Sequence, residues 1–443
     1  MGRFVRSALV FAVLAVALGS FALGQQATPA AGKQQELKRV AIKAGKLLDV
    51  STGKVTPDVV VLVEGDRIAS VGGAVPAGVA LIDLSGLTVL PGLIDAHDHI
   101  LGNPKDWSPT AGLRMSAPEA AIWGVRNVQI LLDHGFTSVR DACEGVQWAY
   151  GQVALRNSIE KGLVRGPRIA AAGSCISLTG GHGDEDVLAP GQALPRLSNI
   201  ADTVDQINVA VRHDIKYGAD WIKLMATGGV GDPMSDFRVQ ELSEEQMARA
   251  VEVAHRAGKR VMAHAEGTVG IKAAVRAGVD SVEHGTVLDD EGAELMARQG
   301  TWLIPTLYTF QRSPAVAAAL GSDPASIAKM KAILPMQQAA FEAALKHHVK
   351  IAYGLDDDCE YVSKEFSALV RGGLSPLGAI QAATVNGAEL LGWMKNVGTI
   401  EAGKFADIVA VNGDPLADIG VMERVVFVMK GGEVAKNDLG RRR

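Results

Sequence analysis

Three things are scarce in this 443-residue sequence: cysteine, clustered positive charge, and apolar runs long enough to cross a membrane. The three cysteines, Cys143, Cys175 and Cys359, are scattered and do not form the pattern of a disulfide framework. Each is therefore expected to be a small buried residue. The formal net charge is −5, and the only basic cluster is Arg441–Arg443, which argues against nucleic acid as a partner.

The longest apolar run, Ser7–Leu23, is shorter than the ~20 residues that a membrane span requires. Arg3 and Arg6 precede it, and small residues lie just before Gln25. This pattern predicts a signal peptide over residues 1–24 and a secreted or periplasmic protein that has no stable membrane partner after cleavage. The alternative is an uncleaved membrane anchor.

Local composition divides the rest of the chain into a linker, two β-rich segments, a middle domain and a tail. Residues 25–37 are small and polar and are interpreted as a linker. Short β runs separated by glycines fill residues 38–90, and the same pattern of short β runs and turns recurs in residues 397–436. We therefore expect one β-sandwich domain built from both chain ends, around a separate domain of residues 91–396. Residues 437–443 form a tail.

The middle domain alternates strands and helices. One helix begins with a capping box at Ser243–Gln246, stops at Gly258, and is followed at once by the strand Arg260–His264. Eight strands are predicted, centred on Leu93–Ile94, Thr137–Val139, Arg168–Ala170, Ile222–Leu224, Val261–Ala263, Ser281–Glu283, Leu303–Ile304 and Ile351–Ala352. Eight such units predict a (β/α)8 TIM barrel, whose catalytic residues lie at the C-terminal strand ends. A doubly wound sheet is the alternative, but it would not bring residues from strands 1 to 8 around one centre.

Four of the ten histidines end predicted strands: His97, His99, His264 and His284. His97 and His99 are two positions apart, so on a strand they point the same way and can bind one metal ion. Five others are assigned to helices or helix ends and are expected to be solvated: His134, His213, His255, His347 and His348. The strand-end histidines therefore predict a metal site on the rim of the barrel.

A lysine and an aspartate accompany these histidines. Lys223 lies in an apolar strand, where a lysine tends to lose its proton. A neutral amine could form a Schiff base, or take up carbon dioxide to give a carbamate that two metal ions can share; the alternative is a lysine paired with a carboxylate. Asp356 directly follows the eighth strand, where it could bind a metal ion and transfer a proton to the leaving group.

Together these residues resemble the amidohydrolase superfamily. In that family a His-x-His motif follows strand 1, a carboxylated lysine ends strand 4, histidines end strands 5 and 6, and an aspartate ends strand 8. The matching positions here are His97, His99, Lys223, His264, His284 and Asp356. Segments 91–99, 179–184, 221–229 and 263–267 look most like the imidazolonepropionase-related metallodipeptidases. One departure is Gly354-Leu355-Asp356 where the family often has Gly-Thr-Asp, which removes a hydroxyl beside that ligand.

The resemblance implies a binuclear hydrolase. Two divalent metal ions, expected to be zinc, would share the carbamate on Lys223. His97, His99 and Asp356 would hold one ion, and His264 and His284 would hold the other. Members of that branch cleave dipeptides, and relatives hydrolyse N-acyl amino acids such as ochratoxin. The resemblance also implies a small-molecule amide as substrate and a homo-oligomeric assembly.

Three sequence features bear on the substrate. His182 lies in the Gly-rich segment 179–184, where it either faces the substrate or caps a turn. Arg238, in the loop after the fourth barrel strand, is a candidate partner for a substrate carboxylate; a solvated surface arginine is the other interpretation. The Ala-rich segment 312–348 is long enough to form a lid over the site.

Two other functions remain open at this point. A mononuclear imidazolonepropionase or deaminase type of cyclic amide hydrolase would not need Lys223 and could use Glu266 as its general base. A non-catalytic metal-binding scaffold is the other alternative. The number of metal ions per chain distinguishes the first from the binuclear hydrolase.

Overall fold

The computed structural model describes residues 37–148, 150–189, 191–192, 199–312 and 314–440. The predicted signal peptide, and with it the alternative of a membrane anchor, lies outside the described residues, as does nearly all of the predicted linker. Of the helices within these ranges, none combines the length and apolarity that crossing a bilayer demands.

The described residues contain two β-sheets with helices between the strands of the second. The strands are β1 Arg39–Leu48, β2 Val55–Glu64, β3 Arg67–Val71, β4 Ala80–Pro91, β5 Leu93–Asp98, β6 Phe136–Asp141, β7 Arg168–Ile176, β8 Trp221–Met225, β9 Arg260–Ala265, β10 Ser281–His284, β11 Trp302–Ile304, β12 Lys350–Ile351, β13 Ile408–Val411, β14 Val425–Lys430 and β15 Glu433–Asn437. The α-helices are α1 Ala111–Arg114, α2 Ala117–Asp133, α3 Gly151–Glu160, α4 Val204–Lys216, α5 Glu244–Arg256, α6 Thr268–Ala277, α7 Asp290–Gln299, α8 Leu307–Gln311, α9 Pro314–Ala319, α10 Pro324–Lys346, α11 Lys364–Arg371, α12 Pro376–Gln381 and α13 Gly387–Leu391.

The first sheet joins the two ends of the described chain. Its seven strands run in the order β15-β14-β13-β4-β1-β2-β3. β1 and β4 are parallel, and the other neighbours are antiparallel. The pairing of β4 with β13 makes this one continuous sheet, where the sequence predicts two sheets of a sandwich. Alternate side chains from both chain ends, such as Ile42, Val61 and Phe427, share one buried cluster.

The second sheet is parallel, and its strands follow chain order from β5 to β12. Sequential order is incompatible with the doubly wound alternative, in which the strand order reverses. Backbone hydrogen bonds also link its two edges: Ala96 N donates to Tyr353 O at 2.8 Å, and Asp356 N donates to His97 O at 3.0 Å. The domain is therefore TIM-barrel-like, with its strand ends gathered around one centre.

Helix α5 shows why the sequence predicts these units well. The side chain of Ser243 accepts from Gln246 N, and Gln246 reaches back to the backbone of Ser243, as expected for a capping box. Met247, Ala250 and Ala254 recur at helical spacing and are fully buried. Burial of this face holds the helix against the barrel and leads the chain into β9.

The scattered cysteines gave no sign of a disulfide framework, yet the structure contains a disulfide. Cys143 and Cys175 are bonded to each other, with Cα atoms 5.4 Å apart and a sequence separation of 32. Cys143 follows β6 and Cys175 lies in β7, and the two strands are neighbours. Strand pairing therefore brings together two residues whose spacing gives no sign of it. Cys359 is buried and free, as expected.

Candidate active site

The C-terminal ends of the barrel strands surround a cavity of about 460 Å³. Five of the predicted metal-site residues line it: His99, Lys223, His264, His284 and Asp356. His97, fully buried, lies against them. The five helix-borne histidines do not line this cavity. The structure therefore collects all six predicted side chains in one place.

His97, His99 and Asp356 form the tightest group. Their ligand atoms lie within 4.8 Å of one another. Nε2 of His97 is 3.6 Å and Nε2 of His99 is 3.5 Å from Asp356 Oδ1. The His97 Nε2 atom is buried and has no hydrogen-bond partner in the described part of the chain, which is costly unless something else binds it. Two imidazoles and a carboxylate at this spacing fit a divalent cation.

The other ring nitrogen, Nδ1, of His97 and of His99 is hydrogen-bonded to the surrounding protein. His97 Nδ1 donates to Glu283 Oε2 at 2.6 Å, and His99 Nδ1 donates to Cys143 O at 2.6 Å. A donor role for Nδ1 leaves Nε2 as the lone-pair nitrogen in the neutral ring. Both rings therefore present the nitrogen that a metal ion needs toward Asp356.

Glu283 belongs to a buried ion pair beneath the site. Arg140 Nη2 donates to both of its carboxylate oxygens, at 2.8 and 2.9 Å, and both side chains have no exposed surface. The guanidinium also bonds Ser281 Oγ at 3.0 Å and lies 4.5 Å from the ring centre of Trp221. Sequence analysis missed this pair. The signal was present: a charged residue inside a predicted barrel strand, and an acid directly before His284.

His264 and His284 form the second group. Their ring centres are 4.7 Å apart, and that of His284 is 5.0 Å from that of His97. His284 Nδ1 is hydrogen-bonded to Thr306 Oγ1 at 2.8 Å. His264 Nε2 donates to Gly228 O at 3.2 Å, a contact that metal binding at this nitrogen would break. These two rings lie beside the first group but are outside its 4.8 Å cluster.

Lys223 is the middle residue of β8, with only 1% of its surface exposed. In the part of the chain that the structure describes, its amine has no hydrogen bond and no ion pair, so the expected alternative of a paired lysine is not found. Burial lowers the pKa of Lys223 to about 8, although Glu283 and Asp356 act in the opposite direction. A neutral amine is thus accessible near physiological pH.

Backbone strain is concentrated at the same place. His284, Thr306 and Asp356 adopt φ values of 70°, 44° and 61°, in the left-handed region that residues other than glycine rarely occupy. Each such residue costs on the order of 1–3 kcal/mol. A non-glycine residue persists there only where the surroundings fix it, and such positions cluster at functional sites.

His182 faces the same cavity. Its ring centre is 4.3 Å from that of His264, and its Nδ1 contacts Asp232 Oδ2 at 2.5 Å. Burial raises the pKa of Asp232, but hydrogen bonds from His182 and Ser235 outweigh it, and the pKa of this carboxyl lies below its usual range. His182 is therefore placed to contact a ligand while an ionised carboxylate orients it.

Two further residues of the sequence analysis have clear positions. Arg238 is exposed and its guanidinium bonds Asp236 Oδ2 at 2.7 Å; it does not line the cavity. This position fits the alternative of a solvated surface arginine. Glu266 does line the cavity, with Oε1 3.5 Å from His264 Nε2, and burial raises its pKa to about 8.

Segment 312–348, the candidate lid, contributes Ser322 and Met330 to the lining of the cavity. It contains helices α9 and α10, and Met330 of α10 lines the cavity. Lys329 Nζ donates to Gly229 O at 2.7 Å and Ser235 O at 2.9 Å, in the loop after β8. These bonds tie the helix to the loop that carries Asp232.

Comparison with known proteins agrees with this geometry. The model of the Amidohydrolase family matches residues 88–435. An ochratoxinase from Aspergillus niger is 33% identical over 370 residues, which cover 79% of this chain and 75% of that protein.

Solved structures are similar over nearly the whole chain. A prolidase complexed with N-methylphosphonate-L-proline is 33% identical with a TM-score of 0.84, covering 90% of this chain and 100% of that one. A Xaa-Pro dipeptidase with methionine in its active site is 32% identical with a TM-score of 0.83, covering 89% and 99%. The chain therefore belongs to the amidohydrolase family and is a hydrolase that acts on C–N bonds.

Proposed function

We propose that this protein is a binuclear metal-dependent amidohydrolase that cleaves the amide bond of dipeptides or N-acyl amino acids. One observation carries the proposal: an unpaired, buried lysine lies among four histidines and an aspartate at a single cavity. Burial of the lysine without an ion pair favours the neutral amine, and a carbamate on that amine would supply two oxygens for cations. Carbon dioxide would bond to Nζ of Lys223, and the amine would release a proton.

The donor set suits two divalent cations, zinc above all, because imidazole nitrogens and carboxylate oxygens are the ligands that zinc takes. His97, His99 and Asp356 would hold one cation, His264 and His284 the other, and the Lys223 carbamate would join them. When bound, such cations lower the pKa of water and polarise a carbonyl group.

Asp356 is the residue placed to move the proton. Its Oδ1 lies 3.6 Å from His97 Nε2 and its Oδ2 lies 3.8 Å from His284 Nδ1, so the carboxylate stands between the two groups of ligands. It also lines the cavity, where the substrate amide would lie. Asp356 would accept the proton of the attacking water and donate it to the nitrogen of the leaving amine.

The cavity suits a small amide. Its volume of about 460 Å³ is in the range of small-molecule sites. Trp107, Phe310 and Met330 supply apolar surface for an acyl group or side chain. The relatives that act on dipeptides and on ochratoxin support amino acids as the leaving group, and ochratoxin-like amides belong to the substrates to be tested.

A free carboxylate on the leaving amino acid should be recognised. We expect kcat/KM for an N-acyl amino acid or dipeptide to exceed that of its C-terminal carboxamide by about 10-fold or more. The site would pair with the carboxylate anion of the substrate but not with the neutral carboxamide. His182→Gln should raise KM for the free acid more than for the carboxamide. Steady-state kinetics on both substrates measure this.

Arg238→Ala is the matched control, because Arg238 is paired with Asp236 outside the cavity. It should leave both KM values unchanged. A selective rise in KM for the free acid in Arg238→Ala would restore the sequence-based expectation for that residue. Equal reactivity of acid and carboxamide in the parent enzyme would exclude recognition of the carboxylate.

The mononuclear cyclic amide hydrolase is the second candidate, and Glu266 favours it. The carboxyl is 1% exposed and one of its oxygens, Oε2, has no partner among the described residues. A raised pKa near 8 suits a group that exchanges protons at neutral pH. Two metal ions per chain, counted by elemental analysis, support the binuclear enzyme; one ion and turnover of an imidazolone substrate support the alternative.

Two proposals concern the whole molecule. The N-terminal pattern supports export to a secreted or periplasmic location, and the mature protein should begin at Gln25. The resemblance to the metallodipeptidases supports a homo-oligomer. N-terminal sequencing of the exported protein and light scattering on the purified enzyme test these two points.

A further inference from the structure

The Cys143–Cys175 disulfide lies directly behind the candidate metal site. Cys143 follows β6 by two residues, and Cys175 is the penultimate residue of β7. Beyond the last regular pair of these strands, Asp141 with Ala171, only the isolated bridge between Glu144 and Ser174 continues the pairing. The disulfide therefore joins the strands just where their backbone ladder becomes sparse.

Each cysteine of the disulfide lies beside a residue of the candidate metal site. The carbonyl of Cys143 accepts the 2.6 Å hydrogen bond from His99 Nδ1, which sets the nitrogen that His99 presents to Asp356. Cys175 is the register partner of Lys223 in the pairing of β7 with β8. One covalent bond thus connects the acceptor behind His99 to the strand beside Lys223.

Cys175 is also linked, through Asn199, to the loop that carries His182. Asn199 Nδ2 donates to Cys175 O at 2.9 Å and to Gly183 O at 3.1 Å. Cys175 itself lines the cavity, so a small reductant can approach the disulfide through the site.

We propose that Cys143 and Cys175 are positioning residues, whose disulfide holds His99, Lys223 and the His182 loop in the arrangement that binds metal. The proposal rests on the metal-dependent function proposed above. Outer contacts that orient a metal ligand typically contribute about 10- to 100-fold in metal affinity. Opening the disulfide should therefore weaken metal binding by about 10-fold or more and lower kcat.

Removal of the disulfide tests this directly. Cys143→Ala/Cys175→Ala keeps the backbone carbonyl of residue 143, so any loss reports the bond between the strands and not the hydrogen-bond acceptor. Metal affinity is measured by competition with a chelator, beside kcat, KM and the melting temperature of metal-free protein. Weaker metal binding and lower kcat are expected. A disulfide that only stabilises the fold would lower the melting temperature and leave metal affinity unchanged, which would overturn the proposal.

Reduction of the parent protein is the second measurement, and it serves even where the double variant folds poorly. Tris(2-carboxyethyl)phosphine and water convert the disulfide to two thiols, while the phosphine becomes its oxide and supplies both electrons. Thiol counts after denaturation should rise from one, for Cys359, to three. Metal affinity should fall together with the rise in thiols. Removal of the phosphine in the absence of air before the affinity measurement excludes metal stripping by the reagent.

The outcomes separate this proposal from the proposed function. A parent protein that binds two metal ions and hydrolyses amides, with a double variant that matches it, overturns the positioning role alone. An oxidised parent protein that binds no metal overturns the proposed function. Three free thiols in protein purified without reductant would show that the disulfide does not form and would also overturn the positioning role.

Discussion

Replacement of Lys223 by alanine should remove at least one metal ion per chain and lower kcat by about 100-fold or more, because loss of even an outer contact to a ligand costs about 10- to 100-fold. The barrel should remain folded, since the lysine amine has no bond to the described residues that its loss would break. Elemental analysis, circular dichroism and steady-state kinetics measure the three quantities.

Small carboxylates provide the decisive control for Lys223→Ala. Acetate or propionate should enter the space left by the side chain and supply two oxygens in place of the carbamate. Rate and metal content should recover in part and saturate with the added acid. A Schiff-base lysine would not be rescued in this way, and borohydride with substrate would trap it. Full activity with an unchanged metal count in Lys223→Ala would contradict the binuclear mechanism.

The Arg140–Glu283 pair should give the largest effect on stability. Arg140→Met leaves Glu283 as a buried carboxylate without its cation, and breaking such a pair costs about 3–5 kcal/mol. Glu283→Gln removes the carboxylate that accepts from His97 Nδ1 and should weaken metal binding by about 10- to 100-fold. Denaturant unfolding of metal-free protein and chelator competition measure the two effects separately.

The double variant separates charge burial from ligand orientation. Arg140→Met/Glu283→Gln has no unpaired buried charge, so its unfolding free energy should recover much of what Arg140→Met alone loses. Its metal affinity should stay low, because His97 still lacks its carboxylate partner. Metal affinity equal to that of the parent in Glu283→Gln would show that Glu283 only neutralises Arg140.

The barrel and its strand ends could be predicted because each depends on local pattern. Capping residues, glycine stops and short apolar runs mark each unit, as in α5 and β9. Polar residues at the ends of such strands, such as His264 and His284, then identify the rim. The metal-site candidates followed from this rule without knowledge of how the strands pair.

Features that depend on pairing between distant segments could not be predicted. The sequence shows Cys143 and Cys175 at a spacing of 32 but not that neighbouring strands bring their Cα atoms to 5.4 Å. The single mixed sheet likewise depends on the pairing of β4 with β13, which lie far apart in the sequence. Arg238 shows the same dependence: its loop follows a barrel strand, but its side chain pairs with Asp236, which fits the alternative of a surface arginine.

The pairing of β4 with β13 also sets an order of events during synthesis. Pro91 pairs with Ile408, and Thr88 Oγ1 donates to Gly413 O, 325 positions later. The first four strands can pair with one another as soon as they are made, but β4 leaves the ribosome long before β13, so one edge of β4 stays unpaired until then. Contacts over such separations form slowly. For a chain that folds only after the export we propose, this delay would keep the N-terminal sheet incomplete until β13 has crossed the membrane.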